Sequence, residues 1–212
     1  MKAYLAEFLG TFALVFCGTG AIIINEQTHG VVGHIGIAIT FGAIVASMIY
    51  TFGNLSGAHF NPAVTLGFSV LKLFPAKKIA PYLLSQIAGA FAASLVLKFL
   101  FPENQNLGST LPAGNNMQSF ILEFILTYFL MLTILFTSQG TEKTQQLAGL
   151  LIGAVILLEA MFAGPICGAS MNPARSLAPA IISGNIQTLW IYLFAPVIGS
   201  LSASFSYKFL AA

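Results

Sequence analysis

The 212-residue sequence contains no aspartate, a single arginine and two cysteines, and only 7% of its residues are charged. So little charge excludes an ordinary soluble domain, in which about 25% of residues are charged. Cys17 and Cys167 are too few for a disulfide framework, and we expect them to pack as small apolar residues. The eight basic residues form no cluster interleaved with aromatics, so no nucleic-acid partner is expected.

The chain instead contains long runs of apolar residues. Hydrophobic residues make up 57% of it, and its mean hydropathy is +0.89. Runs long enough to cross a bilayer as helices lie at 3–24, 33–52, 79–100, 119–138, 145–164 and 188–210. The sequence therefore predicts a multi-pass protein of the lipid bilayer. Glu7 interrupts the first run, which argues against a cleaved signal peptide.

The lysines predict the orientation of the chain. Six spans with both termini in the cytoplasm place most basic residues inside, as the positive-inside rule requires: Lys2, Lys72, Lys77, Lys78, Lys143 and Lys208. Lys98 alone ends a span outside. We expect the protein to lie in the plasma (inner) membrane with cytoplasmic termini.

The chain repeats itself. Residues 81–100 align with residues 191–210 at eight positions, and "YLAEFLGTF" near the N-terminus is similar to "FILEFILTY" in the second half. One channel-like unit over 1–212 would then consist of repeats 1–100 and 117–212, joined by a linker loop at 101–116. Three spans per repeat invert the second copy across the membrane, which favours a site near the midplane.

Two polar segments interrupt the apolar sequence, "GAHFNPAVTLG" from Gly57 and "GASMNPARSLA" from Gly168. Asparagine is a preferred N-cap and proline is favoured at the first helical position. Each Asn-Pro-Ala therefore predicts a short helix, and neither following segment is long enough to cross the bilayer. We expect two half-helices that enter from opposite faces and meet at their N-termini.

This arrangement predicts a neutral pore. An asparagine that caps a helix through its oxygen still has N–H groups to donate, so two such amides can bind the oxygen of one passing molecule. The positive ends of both half-helices repel a cation at the same point.

In these boxes the sequence resembles the aquaporins, the major intrinsic protein family, over essentially the whole chain. The resemblance implies an all-α membrane protein with six transmembrane helices plus two re-entrant half-helices, as an inverted repeat around a central pore. It also implies a homotetramer, with no enzymatic activity, cofactor or metal. The pore boxes are Asn61, Pro62, Ala63, Asn172, Pro173 and Ala174, and the residues with pore-lining carbonyls are Gly57, Ala58, His59, Gly168, Ala169 and Ser170.

The resemblance assigns a selectivity filter to Phe41, Ala160, Ala169 and Arg175. Water-specific relatives have His at the position of Ala160, and "FAGPICGASMNPARSLAPA" is closer to plant nodulin-26-like proteins. The predicted function is a passive transmembrane channel for water and small neutral solutes such as glycerol or urea, excluding protons and ions. A strictly water-selective channel remains an alternative, because Ser176 and Ala180 follow the water-channel pattern.

Three glutamates lie within predicted spans. The resemblance implies that Glu7 and Glu123 hold the loops of the two boxes through hydrogen bonds. Glu159 either braces the final loop, the role we favour, or points toward the filter. His59 is expected to line the pore, with packing as the alternative, and no Cys/His spacing indicates a metal.

Two other functional classes are weaker. A secondary transporter also uses inverted repeats and broken helices. It needs coupling charges or ion sites, however, and apart from the paired Glu7 and Glu123 the interior offers little of that kind. An enzyme needs a nucleophile, a base and an orienting group in mutual reach. His59 and Cys167 lie on different loops and have no third partner.

Overall fold

The structure is a computed structural model that describes residues 1–211, and all regular secondary structure within them is helical. A 3₁₀ turn, Ala76–Lys78, precedes the fourth of nine α-helices. The helices are α1 (Lys2–Gln27), α2 (Gly33–Ser56), α3 (Pro62–Val70), α4 (Ile79–Leu100), α5 (Asn116–Ser138), α6 (Glu142–Gln146), α7 (Ala148–Cys167), α8 (Pro173–Ser183) and α9 (Leu189–Leu210).

Six of these helices, α1, α2, α4, α5, α7 and α9, are long and apolar enough to cross a membrane. Each has at least 20 residues, and a helix of that length rises about 30 Å. The six predicted spans are confirmed. Together with the two half-helices α3 and α8, they give the predicted fold class.

The start of the fifth span differs from the prediction. Residues 145–147 do not begin α7, because the polar segment before it forms the separate short helix α6. The Thr141 hydroxyl caps α6 by accepting from the N–H of Thr144 at 3.3 Å. Helix α7 begins only at Ala148.

Helix α7 also continues past its predicted end, through Pro165. Proline has no N–H to offer the carbonyl of Met161, four residues earlier. His34 in α2 supplies the missing donor, since its Nε2 lies 2.7 Å from that oxygen. The bond joins α2 to α7 beside Ala160.

The same packing recurs in both halves. Helix α1 packs on α2 and α4, α5 packs on α7 and α9, and α2 meets α7 between the halves. A Cβ on Gly89 would overlap the carbonyl of Phe8, and a Cβ on Gly199 would overlap the carbonyl of Phe124. Glycine thus lets two helix backbones touch at corresponding positions of the repeat.

Apolar side chains cover the outer surface. Leu84 is 68% exposed, Phe162 65% and Phe205 64%. Large exposed apolar areas of this kind mark contact with a membrane or a partner. An integral membrane protein accounts for them.

Candidate functional site

Each half-helix is preceded by a short loop with left-handed backbone at non-glycine residues. The φ angle is 51° at Ala58 and 50° at Phe60, and it is 40° at Ala169 and 52° at Met171. Such conformations cost about 1–3 kcal/mol each and persist only where the surroundings hold them. The loops therefore need strong partners.

Two buried carboxylates supply those partners. Glu7 accepts hydrogen bonds from the successive N–H groups of residues 59–60 at 3.0 and 2.7 Å. Glu123 does the same for residues 170–171 at 2.7 and 2.8 Å. Neither glutamate is exposed to solvent. One carboxylate thus fixes two adjacent donors of each loop.

Asn61 and Asn172 cap the two half-helices and also bind across the centre of the molecule. Each side-chain oxygen accepts from the backbone N–H two residues further on, at 2.9 and 3.0 Å. Asn61 Nδ2 donates to the carbonyl of Met171 at 2.7 Å, and Asn172 Nδ2 donates to the carbonyl of Phe60 at 2.9 Å. Each NH₂ group has two hydrogens, so this reciprocal pair leaves one N–H per amide.

A cavity of about 580 Å³ passes both half-helix N-termini. Toward the start of α2 it is lined by Phe41, Ala160, Ala169 and Arg175, and toward the end of α2 by Tyr50, Asn54, Glu142, Gln145 and Gln146. Between these ends lie Asn61 and Asn172. A single passage therefore connects every predicted filter residue with both Asn-Pro-Ala boxes.

Five of the six residues expected to line the pore with carbonyls border this cavity, namely Gly57, Ala58, His59, Ala169 and Ser170. Gly168 does not. It ends α7 with a left-handed φ of 84°. A Cβ there would lie only 3.0 Å from Thr110 Cγ2, so Gly168 turns the chain against the linker loop.

Arg175 is held on two sides. Its Nη1 donates to the carbonyl of Gly108 at 2.8 Å, and its Cζ lies 5.1 Å from the centroid of the Phe41 ring, within cation–π range. The side chain is only 2% exposed. Its Nε is buried and has no hydrogen-bond partner within residues 1–211, whereas the residue as a whole lines the cavity.

His59 both borders the cavity and packs against its walls. Its ring stacks on Phe68 at a centroid distance of 4.9 Å, and Nδ1 lies 3.0 Å from Thr65 Oγ1. The Thr65 hydroxyl also lies 3.1 Å from the Asn61 carbonyl, which can only accept. His59 therefore combines the predicted pore-lining position with the packing role given as the alternative.

The bracing hydrogen bond favoured for Glu159 is missing from the described part of the chain. Its Oε2 is buried without a partner, and the N–H groups of residues 170–171 bind Glu123 instead. The donors of residues 170–171 are therefore not available to Glu159.

Several polar residues that complete the site were not predicted. The hydroxyls of Tyr82 and Tyr192 donate to the carbonyls of Ser56 and Cys167, both at 2.8 Å. The match of these tyrosines in the repeat is the sequence signal that would have found them.

Gln86 is a further unpredicted residue and has no counterpart in the second half, where proline 196 stands at the aligned position. Its Nε2 donates to Glu7 Oε2 at 2.7 Å and to Thr65 Oγ1 at 3.0 Å. The first loop thus has an extra side-chain support that sequence symmetry could not indicate.

A profile of the family described as "Major intrinsic protein" matches residues 1–207. The chain belongs to the major intrinsic protein family. The resemblance inferred from the Asn-Pro-Ala boxes is thereby confirmed.

Curated relatives of this major intrinsic protein include Aquaporin NIP1-1 of Oryza sativa subsp. japonica. It is 43% identical over 99% of this chain and 74% of its own length. Nodulin-26 of Glycine max is 39% identical over 98% of this chain and 77% of its own length. The predicted nodulin-26-like character is confirmed.

A solved structure is also similar, the aquaglyceroporin from Plasmodium falciparum. It has a TM-score of 0.88 and 29% identity, covering 100% of this chain and 96% of that one. The protein is accordingly an integral membrane channel for passive movement of water and small solutes, and not an enzyme. Within residues 1–211, no group of three or more His, Cys, Asp or Glu could hold a metal.

Proposed function

We propose that this channel passes water together with small neutral solutes such as glycerol or urea, and that it rejects protons and ions. The observation that carries the proposal is the outer end of the cavity, where Phe41 and Arg175 face the methyl groups of Ala160 and Ala169. With two methyl walls, this filter is wider than one with an imidazole at position 160.

Rejection of protons and ions follows from fixed charge and dipoles. The two half-helices present their positive ends to the same stretch of the cavity, and Arg175 adds a full positive charge there. A cation must lose its water against these groups. The free N–H of Asn61 and of Asn172 binds a water through its oxygen, which turns its hydrogens outward and interrupts a proton wire.

Passage of a polyol follows from the division of the filter into polar and apolar sides. Glycerol hydroxyls accept from the guanidinium of Arg175, which lines the cavity, and donate to the loop carbonyls. Its carbons pass Phe41 and the two alanines. A neutral solute therefore exchanges its water for protein partners on one side while sliding along apolar groups on the other.

The proposed setting is the plasma membrane with both termini in the cytoplasm, supported by the lysine distribution. The proposed assembly is a homotetramer with one pore per subunit. It is supported by the resemblance to aquaporins and by exposed apolar side chains such as Phe205, which can contact another copy as well as lipid. Mass measurement of the purified protein in detergent tests the subunit number.

Stopped-flow light scattering of reconstituted vesicles tests the solute range. An impermeant osmolyte gives the water permeability, and re-swelling in glycerol or urea gives the solute permeability. We expect both to exceed those of protein-free vesicles. Glycerol re-swelling no faster than in protein-free vesicles would leave a strictly water-selective channel.

The variant Ala160→His tests the assignment of the filter. It should reduce glycerol flux by about tenfold, because one small group in a fitted passage changes selectivity by that order, while water flux falls less. Ala160→Ser is the matched control, since it adds a polar atom with little volume. A similar loss of glycerol flux in both variants would contradict a size-based filter.

A further inference from the structure

The ring of Phe41 lies in a recess on α1 that exists because residue 18 is glycine. A Cβ on Gly18 would overlap Cε1 of the ring and lie 2.5 and 2.6 Å from Cζ and Cδ1. Leu14, one turn earlier on the same helix, lines the cavity. Gly18 is therefore on the cavity-facing side of α1, with the Phe41 ring between it and the passage.

A face of the ring is covered by Arg175, whose Cζ lies 5.1 Å from the ring centroid. That arginine is itself tied to α1, because its partner Gly108 packs on Thr19. A Cβ on Gly108 would lie 2.7 Å from Thr19 Cβ. Successive residues of α1 thus position two walls of the filter, the aromatic one directly and the cationic one through the linker loop.

We propose that Gly18 is a specificity-determining residue of this channel, setting the width of the filter by giving the Phe41 ring a place outside the passage. The inference rests on the proposed function, since it concerns which solutes fit. Cβ contacts under 3.0 Å essentially never occur in proteins, so a side chain at position 18 forces a shift. The atoms it meets belong to the outer end of the Phe41 side chain, and we expect the ring to move. Gly18 lies at the edge of the ring and Arg175 over its face. The ring also borders the cavity, and we expect it to move into the passage.

The test compares Gly18→Ala with a matched substitution two residues further along α1. A Cβ on Gly20 would meet only Leu97 Cδ2, at an ordinary contact distance of 3.5 Å. We expect Gly18→Ala to lower the ratio of glycerol to water permeability by about tenfold. Gly20→Ala should keep the wild-type ratio.

Removing the ring separates this role from a general packing effect. In a Phe41→Val background, position 18 has no ring to displace, so Gly18→Ala should no longer change the ratio. The four proteins form a double-mutant cycle, and the coupling between positions 18 and 41 is the readout. A ratio in Gly18→Ala equal to that of Gly20→Ala, or the same loss with and without the ring, overturns the inference.

The outcome is distinguishable from failure of the proposed function. If wild-type vesicles do not admit glycerol, the solute proposal is wrong. The double-mutant cycle is then measured as water permeability, and we expect Gly18→Ala to lower it only when the Phe41 ring is present. If Gly18→Ala yields no folded protein but Gly18→Ala/Phe41→Val does, the steric conflict is shown directly. If neither folds, position 18 serves another purpose and the inference fails.

Discussion

Arg175 is the only arginine of the chain and is almost completely buried beside the passage. A buried charge of this kind is costly in a membrane and is normally functional. Its contacts are a backbone carbonyl and an aromatic ring, which orient the guanidinium without neutralising it. Its full positive charge is thus available to repel cations.

Arg175→Val should therefore let protons or small cations leak through the channel. The loss of the hydrogen bond to Gly108 costs about 1–3 kcal/mol if that carbonyl stays unsatisfied, so folded protein should still be obtained. A pH-sensitive dye trapped in vesicles, with the membrane potential clamped, measures the leak.

Arg175→Lys is the control for charge. It keeps the positive charge but not the planar donor fork, so it should still exclude cations while passing glycerol less well. If Arg175→Val leaks protons no faster than the wild type, the half-helix dipoles exclude protons without the arginine.

At the level of the single elements, the two dipping loops depend on one carboxylate each. Both oxygens of Glu7 and of Glu123 are used by successive N–H groups. A glutamine offers one acceptor in place of two and directs its NH₂ toward the second donor. Glutamine at these positions therefore keeps one of the two hydrogen bonds to the loop, and alanine keeps neither.

We expect the yield of folded protein to fall in the order Glu, Gln, Ala at positions 7 and 123, as measured by size-exclusion chromatography in detergent. Each unsatisfied loop donor costs about 1–3 kcal/mol, and alanine leaves two of them. Glu103→Ala, in an exposed loop, is the control and should not change the yield. Equal tolerance of alanine and glutamine would refute a role for the carboxylates in holding the loops.

Some features of the half-helices could be predicted from the sequence and others could not. Their starts at Pro62 and Pro173 could be predicted, because Asn-Pro specifies a cap locally. The hydrogen bonds from Asn61 to Met171 and from Asn172 to Phe60 could not, because they depend on how two distant loops meet. The sequence likewise does not tell which buried glutamate accepts from the N–H groups of residues 170–171, and in the structure it is Glu123.

For the molecule as a whole, the six spans and their inverted repetition could be predicted from the sequence, because the length of the apolar runs and the similarity of the two halves are visible in it. The side-chain supports do not follow in the same way. Gln86 and His34 supply hydrogen bonds to groups, such as the carbonyl of Met161, whose need for a partner becomes apparent only once the helices have packed.

Backbone contact at Gly89 and Gly199 holds each half together. Since a Cβ at either position would overlap a backbone carbonyl of the neighbouring helix, no side chain can move aside to relieve it. Gly89→Ala and Gly199→Ala should each destabilise the protein by about 1–3 kcal/mol. Thermal unfolding in detergent should show a lower apparent Tm.

The control for these variants is Gly20→Ala, which has room for its methyl group and replaces glycine within a helix, so its Tm should stay the same or rise slightly. A Tm for Gly89→Ala or Gly199→Ala as high as that of the control would mean that close contact of the helix backbones does not contribute to stability.

The reciprocal bonds of Asn61 and Asn172 also bear on how the protein is made. They join residues 110 and 112 positions apart, and at a synthesis rate of about 5–20 residues per second the second box emerges roughly ten seconds after the first. Until then the first loop has an unpaired amide and carbonyl that lipid cannot satisfy. We therefore expect the first half-helix to reach its final depth only after the second box has been synthesised.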